Sequence, residues 1–178
     1  MTHTTTADRI DEFFEAQTWP GALADALQPH VQVVERALPD AVHGRGLGHP
    51  LHPAIVHLPL GGWVVAGVLD AAGHDEAADR ALLIGTVGAV PTIALGWLDW
   101  ANTRGTARNI GVVHGLLNET AFTLNVVSLW ARARGQRGLG RALSNTALAL
   151  SGVSGFLGGH LVYHHGLGVG QTLDRPQG

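Results

Sequence analysis

Polar and apolar positions divide the chain into a patterned N-terminal quarter followed by long apolar blocks. In the first quarter Leu23, Leu27, Val31, Val34 and Leu38 recur at steps of four, four, three and four, the spacing of one helical face. This predicts an amphipathic helix, packed on the protein or lying in a membrane interface, with Pro29 interrupting or kinking it. Pro39, Gly44, Gly46 and Gly48 then read as a linker. Four hydrophobic segments follow, at residues 51–72, 81–100, 110–131 and 142–164. Each has about the 20 residues needed to cross a bilayer. The intervening stretches 74–80, 101–109 and 132–141 are short and polar, so neighbouring helices are expected to run antiparallel. The predicted fold is all-α: a four-transmembrane-helix up-down-up-down bundle with an N-terminal amphipathic helical segment. The expected divisions are 1–46, 47–170 and a C-terminal tail, 171–178. A soluble bundle would need a charged stripe on each helix, and residues 81–98 contain none.

Composition supports the membrane reading from a second direction. Charged residues make up 14 % of the chain, against about 25 % in soluble domains. The low mean hydropathy of +0.16 comes from the polar first quarter and from the 25 glycines. Small residues let membrane helices approach closely. Gly88, Thr92 and Gly96 form one small-residue run, and Ser151, Gly155 and Gly159 another. The N-terminus has no apolar core or cleavage site of a secretory signal, so the internal segments would direct insertion. Arg132, Arg134, Arg137 and Arg141 favour the cytoplasmic side for their loop, which would place both termini outside the cytoplasm. A net charge of −3 gives no sign of a nucleic-acid partner.

The absence of cysteine excludes thiolate metal sites and cysteine-ligated iron–sulfur clusters within the chain. Chemistry must come from the 11 histidines. In the expected bundle His57, Asp99, His114 and His160 all lie within about two turns of one membrane face, with His52 and His164 slightly further out. On the third segment His114, Asn118, Asn125 and Ser128 share a face within about 40°, and such a stripe should turn inward. Glu119 points away from it. A short internal repeat, Ile55–Leu60 against 112–117, would set His57 and His114 at equivalent depths. His57, His114 and His160 are therefore the ligand candidates, with Asp99, Asn118, His52 and His164 supporting them. Such imidazoles can ligate haem b, hold a transition metal ion, or simply satisfy internal hydrogen bonds in a structural anchor. No nucleophile motif appears, so the chain is not expected to be an enzyme by itself.

The run Gly46-Leu47-Gly48-His49-Pro50-Leu51-His52-Pro53-Ala54-Ile55-Val56-His57-Leu58-Pro59 resembles the opening of a bacterial membrane domain of unknown function. Gly96-Trp97-Leu98-Asp99-Trp100, Val113-His114-Gly115-Leu116-Leu117-Asn118 and Gly158-Gly159-His160-Leu161-Val162-Tyr163 match it further along. Members of that family are four-helix proteins, often fused to a C-terminal Rieske [2Fe–2S] domain. The resemblance implies a membrane module associated with electron transfer; the expected setting is the bacterial inner membrane, with the lipid bilayer, a separate Rieske-type or other redox protein and further copies of itself as candidate partners. The Cys-x-His pairs of a Rieske cluster are missing from this chain.

Overall fold

The computed structural model describes residues 4–39, 42 and 50–168. The linker glycines Gly44, Gly46 and Gly48, and the tail 171–178, lie outside the described residues. Among the described residues seven α-helices follow one another: α1 (Thr6–Glu15), α2 (Trp19–Ala37), α3 (His52–Ile55), α4 (His57–Ala71), α5 (Asp75–Trp100), α6 (Gly105–Ala133) and α7 (Arg137–Tyr163). Among the described residues there is no strand. The chain divides into two compact units. The first holds Met1–Leu51, Leu95–Gly115 and Gly155–Gly178, and the second His52–Ala94 and Leu116–Ser154.

Helix boundaries extend beyond the apolar blocks. The polar stretch 74–80 is not a connection but the opening of α5, whose first turn carries Asp75 and Glu76. Acidic side chains there offset the positive end of the helix dipole. The true connections shrink to residues 72–74, 101–104 and 134–136. Gly73 and Gly135, at φ +77° and +75°, make turns that an L-residue would resist. The first apolar block is itself divided, because the helix breaks at Val56 between α3 and α4.

In the second unit Trp63, Ala66, Leu82, Ala89, Ala121 and Ala147 form the buried core. The backbones of α4 and α5 come close together in this unit. A Cβ added to Gly62 would lie 2.6 Å from the Gly85 Cα, and one on Gly85 would meet the Pro59 carbonyl oxygen at 2.9 Å. Gly88, singled out by the sequence, likewise lies against Leu58, while Thr92 is buried. Gly155 departs from expectation: it is exposed, and among the described residues nothing lies within 4 Å of its missing side chain.

Outward positions of this unit are strongly apolar. Val64, Val65 and Val68 of α4 are exposed, as are Leu83, Ile84, Val87 and Val90 of α5, and Val153 of α7. By length and composition α5, α7 and the stretch His52–Ala71 are each able to cross a membrane. The third block, expected to be a fourth such helix, falls short of that standard in α6. Its polar residues are the reason, and two of them, Asn125 and Ser128, are completely buried. The polar stripe does turn inward there. Ser128 donates to the Gly140 carbonyl at 2.6 Å, whereas neither end of the Asn125 amide has a partner among the described residues.

Where α4 ends and α5 and α7 begin, three aspartates meet three arginines. Arg132 pairs in a fork with Asp70, reaches Asp79 at 2.8 Å, and donates to Ser128 and Ser144 at 3.1 and 2.9 Å. Arg137 bonds Asp79 and Asp70 at 3.0 and 3.1 Å, and Arg141 bonds Asp75 and Asp70 at 2.6 and 3.2 Å. The side chains of Arg132 and Asp70 are only 2 % and 7 % exposed. Burial of charge on this scale requires such saturated pairing.

The first unit is assembled on tryptophan and glycine. Trp97 lies where a Cβ on Gly115 would be, 2.7 Å away, and Trp100 occupies the same position at Gly111, 2.5 Å away. Trp100 and Val112 join Ala24 of α2 in a core on which Leu23, Leu27 and Val31 pack. The predicted amphipathic face is thus turned to protein over those positions, while Val34 is exposed. Pro29 lies inside α2 without ending it. Two glutamines of α2 satisfy carbonyls at the end of α5 that the helix leaves unpaired: Gln28 donates to Thr103 and Gln32 to Ala101, each at 2.9 Å.

Candidate metal centre

Helix α7 ends in a histidine-rich turn. Its last turn carries His160, and the amides of His164 and His165 both bond back to the His160 carbonyl at 2.9 and 3.3 Å. Gly166, at φ +69°, then reverses the chain, and the Leu167 amide reaches the Leu161 carbonyl at 2.9 Å. The i, i+4 spacing brings the His160 and His164 rings together at 4.8 Å, stacked within 18°. His165 stands nearly perpendicular to both, 5.1 and 5.0 Å from them.

Asp11 of α1 completes the group. His160 Nε2 lies 2.8 Å and His165 Nε2 3.0 Å from Asp11 Oδ1, while His164 Nε2 lies 3.2 Å from Asp11 Oδ2. One ligand atom from each of the four residues falls within 4.8 Å of all the others. Partial burial raises the Asp11 pKa, but hydrogen bonds from His160 and His165, and their charge, hold the carboxyl below the usual carboxylate range. The environment is graded: His160 is buried, whereas the His164 side chain is 37 % exposed and thus open to water.

Three imidazoles and a carboxylate form a donor set for a transition metal ion such as zinc or iron. With metal–ligand bonds of about 2.0–2.1 Å, ligand atoms around a tetrahedral ion stand roughly 3.3 Å apart. The Asp11 contacts of 2.8–3.2 Å would have to open by about 0.5 Å or less, and ligand atoms as far apart as 4.8 Å would have to close by roughly 1.5 Å, both through side-chain rotation. The carbonyl end of α7 adds a favourable potential for a cation.

The sequence-derived candidates distribute unevenly. His160 and His164 belong to this group; Asp11 and His165 were missed. The His160-x3-His164 spacing was the available signal, since i, i+4 places two imidazoles on one helical face. Nothing in sequence separates Asp11 from other acids of the first quarter. His114, half-buried, lies against α7: a Cβ on Gly158, rather than on the neighbouring Gly159, would meet its ring at 3.0 Å. Asp99 is half-buried near the end of α5, and Asn118 is half-buried on α6. His57 is exposed at the start of α4 in the second unit, where His52 bonds the Thr92 carbonyl at 2.8 Å through Nδ1.

Residues 48–171 match a family described as predicted membrane protein, DUF2231. The chain belongs to that family. No curated protein and no solved structure matches it. The three histidines of the group lie inside the family stretch, and Asp11 lies outside it.

Proposed function

We propose that this protein is a multi-pass membrane module that carries a single metal ion on Asp11, His160, His164 and His165, and serves a redox-associated assembly. The convergence of those four ligand atoms within 4.8 Å carries the metal reading. The group suits a bare ion better than haem. One carboxylate touches all three imidazoles, and a macrocycle would have to part them. The redox setting is supported by the resemblance to Rieske-fused proteins and by an N/O donor set that accepts iron.

The module is read as crossing the bilayer four times, up and down, with α6 as the span that composition under-rates. What supports this is the split character of that helix. Asn125 and Ser128 are buried, while Val126, Val127 and Trp130 are exposed. Lipid would therefore meet an apolar surface. The chain has no cysteine, so single thiols report topology directly. Gln136→Cys and Asn102→Cys are expected to react with an impermeant maleimide from opposite sides of the bacterial inner membrane, Gln136→Cys from the cytoplasm. Labelling of both from one side would remove the fourth span.

The metal reading is tested on detergent-purified protein dialysed against Zn(II), Fe(II) or Co(II). One ion per chain is expected, without a Soret band after haem addition. The double variant His160→Ala/His164→Ala should retain none. Equal metal contents in parent and variant would leave only the structural reading, a membrane anchor whose histidines satisfy one another.

A further inference from the structure

The four ligands do not come from one segment. Three belong to the end of α7, and the fourth reaches them from α1, about 150 residues earlier in the chain. How firmly α1 is held without Asp11 is therefore the informative quantity. The helix has 10 residues, of which Phe14 alone is buried. Helices shorter than about 12–15 residues are marginal on their own. Its start is secured internally, by a capping box between Thr5 and Asp8. Among the described residues its end is joined by a hydrogen bond from Thr106 Oγ1 to Glu15 at 2.7 Å, which is exposed to water. Helix α2 is held quite differently, by a buried core and two glutamine amides. Residues 16–18 separate a firmly packed helix from a lightly packed one.

We infer that α1 is a metal-fastened strap: an ion bound by His160, His164 and His165 takes the Asp11 carboxylate as its fourth ligand and so fixes α1 over the end of α7. The inference rests on the metal reading above. Without the ion, Asp11 is held by hydrogen bonds to His160 and His165 beside a His164 that water reaches. With it, the carboxylate is a ligand, and releasing α1 means breaking a metal–oxygen bond. Removal of the strap would open one coordination position on a three-imidazole centre. Such an open position distinguishes a reactive site from a closed structural one.

The full chain tests this in detergent or nanodiscs. Arg9→Cys on α1 and Asn102→Cys after α5 are both at exposed positions, and spin labels on them report the distance by pulsed electron resonance. Addition of ZnCl2 to chelator-treated protein should collapse a broad distribution to a narrow one. The ratio of fastened to released α1 should rise by the factor by which the Asp11 ligand tightens Zn(II) binding, and by no more than about 100-fold at 100 times Kd. In Asp11→Asn the same Zn(II) should bind more weakly and leave the distribution broad. If one Zn(II) binds per chain and the distribution is unchanged, or if Asp11→Asn narrows like the parent, the strap is wrong while the metal site stands. If no Zn(II) binds at all, both fall.

Discussion

At the scale of single residues, the candidate centre depends on which proton leaves which atom. Each imidazole must be neutral to ligate, so protons compete with the ion. Asp11 does not limit that competition. Its folded pKa is depressed, so the stability it contributes is fully present above about 3.9, the ordinary carboxylate value, and is lost only as pH falls through the lowered folded value. A competition titration from pH 8 to 5 should show occupancy falling as protons compete with the ion, with more than one proton taken up per ion released. A release confined to pH below 4 would point to the carboxylate and contradict the three-imidazole assignment.

A second residue-scale prediction concerns Asp70. It accepts from Arg132, Arg137 and Arg141 at once, so Asp70→Asn leaves a buried guanidinium without its main counter-charge. Removal of one partner from a buried pair costs about 3–5 kcal/mol. Thermal unfolding in detergent should shift down markedly, whereas Glu76→Gln, which removes an exposed i, i+4 partner of Arg80, should change it by less than about 1 kcal/mol.

At the scale of elements, helix existence was legible in sequence and helix contact was not. Blocks of about 20 apolar residues announce helices in any membrane protein, and all four blocks are helical. Their faces were harder to read because Gly and Ala occur on every side. Small-residue spacing pointed equally to Gly88 and Gly155, yet one lies against Leu58 and the other faces open space. The close backbone approach of Gly62 to Gly85 stood out in neither run. Gly62→Val should therefore push α4 from α5 and destabilise the second unit by about 1–3 kcal/mol, the usual range for overpacking. Gly155→Ala should be neutral or slightly stabilising, since Ala is the better helix former. Thermal midpoints of the two variants in one detergent decide between these expectations.

The N-terminal quarter teaches the same lesson. Its period of apolar residues identified α2, but periodicity cannot say whether a face meets lipid or protein. Trp97, Trp100 and Val112 decide that for Leu23, Leu27 and Val31. Pro29 was legible as an interruption only by its local chemistry, and α2 continues through it.

At the scale of the whole molecule, sequence alone determined that this is an all-helical membrane protein with a polar first quarter, because hydrophobic length and charge distribution are properties of the chain read in order. It also determined that any metal chemistry must use histidine and carboxylate, since cysteine is absent. Depth along a helix follows from a rise of about 1.5 Å per residue, which is why His160 and His164 could be picked out. Tertiary structure alone decided that Asp11 joins them and that His57 stays exposed. Those outcomes depend on where α1 docks and how α4 turns about its axis. Both are set by packing against distant segments, which a local pattern does not encode.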